Sequence, residues 1–333
     1  MCCRVVLKQF NAVLFVHLPK MNDIRAVKQN DITMKNLLSI LALVLCVGFV
    51  SCDEEYNPDT AESYYEPIPG KRLVASVKTV FSENGGENSH EHRFAYDAKG
   101  RIKTINSDIV IYTPVVINNN GFRDTLNYRC NITSSANYFY RGEELEVAYT
   151  ISTEYPDLPS MNRTSSSSNF GVFNSDGVLN RFSTASYEYS ATLLKQAYTD
   201  GDVCFDVVRD SDGNVSGYKK YVVESGQVLE NRVGDYHYHL VRNKTNFDFS
   251  AYFGYWGVEQ CVPVISRPYR APFQLAAFGM LGATSPYLPF GVIEKDVDGN
   301  GTHVYGKWEL DSKEYPVSYV DTEGRKTIIT YCE

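Results

Sequence analysis

His92-Arg-Phe-Ala-Tyr96, then Asp97-Ala-Lys-Gly100, then Arg101-Ile-Lys-Thr-Ile105 is the stretch on which the reading of the fold turns. Both flanks are rich in aromatic and β-branched residues, as half-buried strands are. Between them Gly100 supplies the positive φ of a tight turn, and Asp97 can bond the backbone ahead of it. The same grammar recurs along the chain. Phe173-Asn-Ser-Asp-Gly177 precedes Val178-Leu-Asn-Arg-Phe182, and Phe205-Asp-Val-Val208 leads through Asp210-Ser-Asp-Gly-Asn214 to Tyr218–Val223. Val292-Ile-Glu294 leads through Asp296-Val-Asp-Gly-Asn-Gly301 to His303–Trp308, and Ser318-Tyr-Val320 leads through Asp321-Thr-Glu-Gly324 to Lys326–Tyr331. The predicted fold class is all-β, a large curved antiparallel meander sheet whose closure the sequence leaves open. The spacing is too irregular for a strict solenoid. With 25 Tyr and 17 Phe, the chain suits an extended sheet wet on at least one face.

Other segments break the rhythm. Ser190–Ala197 fits a short helix or a bulged strand equally well. Ser165–Ser168, between Asn162 and Asn169, reads as an exposed loop tip. From 244 to 293, Trp256, Pro263, Pro268, Pro272, Pro286 and Pro289 interrupt a strongly apolar stretch, and Phe273–Leu281 is apolar without alternation. This stretch reads as a long ordered connection with a helical turn, covering the sheet or plugging its interior.

The N-terminal region carries an address. After Met34 and Lys35, Leu37–Val50 runs without a charge into Ser51 and Cys52, and Asp53, Glu54 and Glu55 end it. That is the layout of a secretory signal with a cysteine at the cleavage point, the lipoprotein form. The run is shorter than the roughly 20 residues a membrane-spanning helix needs. The expected organisation is a start-site extension over 1–33, a signal peptide over 34–51, a flexible tether over 52–70 and a single β-domain over 71–333. Residues 1–51 carry six Lys/Arg and two Asp/Glu, so their removal takes the net charge from −8 to −12. A chain this acidic is a poor partner for nucleic acid. It would also be repelled by an anionic bilayer, so attachment rests on the lipid at Cys52. Cys130, Cys204, Cys261 and Cys332 lie in a compartment that permits disulfides, and no spacing selects a pairing.

Several segments together resemble the domain-of-unknown-function family of Bacteroides-type lipoproteins described as having a porin-like fold. They are Phe94–Ile102, Tyr198-Thr-Asp-Gly-Asp202 with Asp210–Asn214, Asn243-Lys-Thr-Asn-Phe-Asp248, Gly279–Pro289, and Tyr315–Tyr319 with Thr327–Tyr331. The resemblance spans roughly 71–333. It implies a curved antiparallel sheet, partly closed like a porin barrel, at the outer membrane or cell surface, with no assigned activity or site residues. Two tripeptides, Asp59-Thr60-Ala61 and Asp124-Thr125-Leu126, resemble a pattern such bacteria O-glycosylate, making Thr60 and Thr125 candidate acceptors.

Candidate chemistry is sparse. His90-Glu-His92 and His237-Tyr-His239 each place two imidazoles on one face of a strand, and two such pairs could complete a zinc site if their strands met. Asp296–Gly301 matches the start of a calcium loop, but the acid expected at its twelfth position is Lys307. Neither makes a metal site the expectation, and no cofactor is implied. No nucleophile elbow or phosphate loop occurs, and Glu143-Glu144 reads as a solvated turn. Tyr252, Tyr255 and Trp256 could form a stacking platform for sugar rings. The functional expectation is a non-catalytic binding or scaffold domain. A surface glycan-binding protein is the alternative, and a hydrolase with an unrecognised site is a second. Partners would be the membrane, through the lipid on Cys52, and a glycan or another surface protein.

Overall fold

The structure, a computed structural model, describes residues 61–119, 122–183, 185–189, 193–198, 203–224, 227–253, 273–296 and 298–333. Sixteen strands form an antiparallel meander. They are β1 (Val74–Glu83), β2 (Gly86–Tyr96), β3 (Ile102–Asn119), β4 (Phe122–Arg141), β5 (Glu144–Glu154), β6 (Arg163–Phe173), β7 (Leu179–Phe182) and β8 (Ala185–Tyr189). There follow β9 (Leu193–Tyr198), β10 (Val203–Arg209), β11 (Val215–Glu224), β12 (Gln227–Arg242), β13 (Tyr287–Asp296), β14 (Gly301–Leu310), β15 (Pro316–Asp321) and β16 (Lys326–Tyr331). Each strand pairs with its sequence neighbours, and β1 also pairs with β16, so the ring closes into a barrel. At the seam Val77 lies between His92 on one side and Ile329 on the other. The all-β reading therefore holds, and the closure left open by the sequence is resolved.

The turns explain why the meander forms. Asp97 Oδ1 accepts the amides of Lys99 and Arg101, each at 2.9 Å, around Gly100 at φ 78°. Asn174, Asp210, Asp296 and Asp321 receive the amides two and four residues ahead in the same way. A further copy, at Asp311, has Glu314 at φ 65° where the others have glycine, and the sequence reading passed over it for that reason. The candidate calcium loop is thus one of these hairpin turns. Ser165–Ser168 is a correction: it lies within β6, not at a loop tip. Weak strand formers are held there by neighbours, since Thr150 bonds Ser166 and Ser152 bonds Thr164 across β5 and β6, both at 2.9 Å.

On the described walls the larger apolar side chains mostly point inward. Phe94, Ile105, Ile109, Ile132, Tyr138, Tyr140, Leu145 and Val147 point inward and are buried. On the outer face Glu91 pairs with Lys78 at 3.3 Å and Arg93 at 3.2 Å, and Arg93 also bonds Asp108. A membrane barrel has the opposite arrangement, with an apolar band outside. Among the described residues no helix is long and apolar enough to cross a membrane.

A ring of sixteen strands is wide enough to leave a channel unless something fills it. Here the connection from β12 to β13 turns inward. Its described parts include α1 (Phe249–Phe253) and α2 (Phe273–Ala277). Phe247 is fully buried, with its ring centroid 5.6 Å from Phe94, 5.3 Å from Phe278 and 5.2 Å from Phe249. Two buried polar side chains hold this plug together. Asn243 Nδ2 donates to Phe247 O at 2.8 Å, while its Oδ1 accepts from Thr245 Oγ1 at 2.8 Å. Asp248 accepts from the Ser250 amide at 2.9 Å, Ser250 Oγ at 2.6 Å and the Ser285 amide at 2.7 Å. The described parts of the expected 244–293 connection fill the interior, but residues from Tyr287 onward belong to β13, and 254–272 lie outside the described residues.

A second correction concerns the tether. Residues from Ala61 onward, read as part of a flexible 52–70 linker, are docked on the base of the barrel, the end that holds the plug connection. Tyr64 N donates to Gly142 O at 2.9 Å and Gly142 N to Glu62 O at 2.8 Å. The Tyr65 ring stacks on Phe173 at 5.7 Å and Tyr140 at 6.0 Å, and its hydroxyl donates to Phe278 O at 2.5 Å. Arg101, fully buried, donates to Asp97 Oδ2 at 2.6 Å and to Ala61 O at 2.9 Å. Charge and proline give the segment the composition of a linker, and Tyr65, the backbone bonds to Gly142 and the Arg101 bond to Ala61 hold it.

Candidate functional site

Opposite the base, the barrel mouth is formed by the turns after β1, β3, β13 and β15. Below it lies a partly enclosed cavity of about 270 Å³. The plug supplies its floor through Tyr252 and Phe253. Inward-facing residues of β1, β2, β12, β13, β14, β15 and β16 supply its walls, so the site is assembled from residues far apart in sequence. Tyr236, Val292 and Val304 are register neighbours on β12, β13 and β14 and form one wall. Phe81 and His90 lie on the other side, with rings 5.2 Å apart and perpendicular.

The polar groups divide into satisfied and unsatisfied sets. Tyr252 Oη bonds Thr79 Oγ1 at 2.9 Å, and Thr79 bonds Thr327 Oγ1 at 2.8 Å, a chain of three hydroxyls. At the rim Arg325 Nε donates to Asp321 at 2.6 Å and its Nη2 lies 3.1 Å from Glu323, so its charge is balanced. His90 Nε2 and the Tyr236 hydroxyl, by contrast, are buried and have no hydrogen-bond partner. Buried polar atoms are almost always paired, so each orphan calls for an explanation. Burial lowers the pKa of His90 to about 4, which makes its ring neutral at pH 7. Burial also raises the Tyr236 phenol well above its ordinary value, so it keeps its proton.

The residues singled out in the sequence fare unequally. His90 and His92 face the interior, where His92 Nδ1 lies 2.8 Å from Ser107 Oγ. Burial and, secondarily, the charge of His90 lower its pKa to about 3. His237 and His239 lie on the outer wall, against Phe290 and Tyr305. The two pairs therefore do not meet, and no group of three or more metal-ligating side chains occurs among the described residues. Tyr252 is only 6% exposed and packs on Phe247 and Phe253, so it is cavity floor and not part of a solvent-facing platform. Tyr255, Trp256, Cys52, Thr60 and Cys261 lie outside the described residues, as does the side chain of Cys204. Thr125 is exposed on the long β3–β4 hairpin, opposite Val116. Cys130, buried, and Cys332, half-buried, are free thiols. No motif could have revealed the cavity, because its residues converge only when β1 meets β16.

No family model matches the chain. No curated protein matches it either. Among solved structures, it is similar to a porin-like protein from Bacteroides uniformis, at 10% identity over 80% of this chain and all of that one, with a TM-score of 0.45. A porin-like protein from Bacteroides vulgatus matches at 15% identity over 78% of this chain and 99% of that one, with a TM-score of 0.41.

Proposed function

We propose that this protein is a lipid-anchored, non-catalytic binding module of the cell envelope, placed at the outer membrane or cell surface. The lipid sits on Cys52 and the ligand enters through the barrel mouth. The observation that carries the binding reading is the cavity with two unpartnered buried polar groups in its walls. The anchor rests on the uncharged run ending at Cys52. Eight residues lie between Cys52 and the docked Ala61, nine Cα–Cα steps that span at most about 32 Å. The non-catalytic reading is supported by the cavity's chemistry. Of its two rim carboxylates, Asp321 is occupied by two backbone amides and Arg325, and Glu83 stands at the solvent-exposed end of β1. The anchor is tested by Cys52→Ser, which should abolish palmitate labelling and release the protein from membranes; a variant that stays membrane-bound would overturn it.

A second reading, glycan capture, is favoured by the outer wall. There His239 stacks on Phe290 at 4.3 Å and Tyr305 lies beside it at 5.9 Å, close to the fully exposed Leu240. Such a row of rings offers weak stacking, useful when many tethered copies act on one polymer. If this reading is right, Phe290→Ala should abolish retention of the protein on immobilised polysaccharide.

A further inference from the structure

The composition of the cavity narrows the ligand beyond the binding reading on which this inference rests. Three properties decide the class. First, the lining is aromatic on several sides: Phe81, His90, Tyr236, Tyr252, Phe253 and Tyr319. Secondly, the charged lining residues Glu83, Asp321 and Arg325 lie at the rim, and no charge faces the enclosed part of the space. The His90 ring is neutral, and the Arg325 guanidinium is held by Asp321 and Glu323. A charged group carried into that enclosed part would lose its hydration without gaining a counter-ion. Thirdly, hydrogen-bonding capacity is short. Thr79 bonds both Tyr252 and Thr327, and in the enclosed part His90 Nε2 and the Tyr236 hydroxyl are the groups without a partner. A sugar ring brings more hydroxyls than these walls have partners, and each one left unpaired in a buried site weakens binding. The volume of about 270 Å³ lies just below the range of about 300–1,000 Å³ typical of drug-sized ligands, which points to a molecule of one or two rings.

We propose that the cavity binds a small uncharged aromatic molecule bearing a hydroxyl or ring N–H, of the phenol or indole class. Its ring packs on the aromatic lining and its polar group is directed toward Tyr236 or His90. Such a ligand would give partners to His90 Nε2 and the Tyr236 hydroxyl, two of the buried polar atoms that lack one.

The test uses the full chain purified in detergent, titrated with phenol, indole and methyl β-glucoside by saturation-transfer NMR. Phenol or indole should bind and the glucoside should not. Val292→Phe, which places a ring in the space beside Tyr236 and Val304, should abolish binding. Tyr236→Phe keeps the ring and removes an unsatisfied hydroxyl, so it should leave thermal unfolding unchanged or raised while weakening binding about tenfold. The inference is overturned if neither aromatic binds, or if both variants bind them as well as the parent does. If the glucoside binds and Val292→Phe abolishes that binding, the ligand class is wrong while the cavity remains a binding site. Loss of every ligand response with an unchanged Cys52-dependent membrane association would remove the binding reading and leave the anchor standing.

Discussion

The Asp97 carboxylate and the Asp296 carboxylate close the same kind of turn in different surroundings. Asp97 and Arg101 are both buried, and Arg101 also lies over the Tyr140 ring at 4.6 Å. Asp97→Ala would strand a buried guanidinium, which costs about 3–5 kcal/mol. Asp296→Ala gives up only turn bonds at a wet rim, about 1 kcal/mol, the scale of a lost helix cap. Urea denaturation of the two variants should separate them by at least about 2 kcal/mol, and equal losses would show that Arg101 finds another partner. The interior histidines make a pH prediction. His90 and His92 have pKa values of about 4 and about 3 in the folded protein, below the ordinary 6.5. Between those values the unfolded chain binds more protons, so stability falls as pH drops from about 6.5 toward 3. Taken alone, His90 would withdraw about 3 kcal/mol over that window. Replacing both histidines by glutamine should flatten the dependence of the urea midpoint between pH 6.5 and 4; an unchanged slope would assign acid sensitivity to the carboxylates.

At the scale of elements, the plug and the docked N-terminal segment depend on single aromatic rings. Phe247 touches rings from β2 and from both sides of the plug, and Phe247→Ala should cost about 3–5 kcal/mol. Tyr65 pins residues 61–70 to the base. Limited proteolysis of the parent should spare that segment, whereas Tyr65→Ala should be cut within it; equal resistance would mean that the backbone bonds to Gly142 suffice. These two elements also show where the sequence was readable. The strands were legible because Asp97–Gly100 and its copies each carry their own turn chemistry within five residues. The Asp311 turn lacks a glycine and was missed, although its hydrogen bonds are the same. The plug was legible as an apolar, proline-broken stretch that had to be covered. Tyr65, by contrast, sits in a polar neighbourhood, and its partners Tyr140, Phe173 and Phe278 are distant in sequence. The cavity was hidden for the same reason, since His90 and Tyr236 face one space only after the ring closes. His237 and His239 were read as a possible mate for His90 and His92, but strand parity turns one pair outward and the other inward.

For the whole molecule, the placement of charge decides how it can meet a membrane. The barrel has the strand count of a pore but its apolar face is inside, packed on the plug. Inserting the wall formed by β1, β2 and β3 into lipid would bury Lys78, Arg93, Glu91 and Asp108. Each basic residue at the bilayer midplane costs about 2–4 kcal/mol, with the acids costing somewhat less. Among the described residues no outward apolar band offsets these costs, so the folded barrel should have no affinity of its own for hydrocarbon. The expected outcome is that Cys52→Ser protein, once secreted, partitions into the aqueous phase of a detergent phase separation and shows no conductance when added to planar bilayers. The lipidated parent should enter the detergent phase and likewise conduct nothing, because Phe247, Phe249 and Phe278 occupy the lumen. Single-channel currents from either form would contradict the inward-facing core, and detergent-phase partition of the Cys52→Ser form would mean that the outer wall binds hydrocarbon despite its charges.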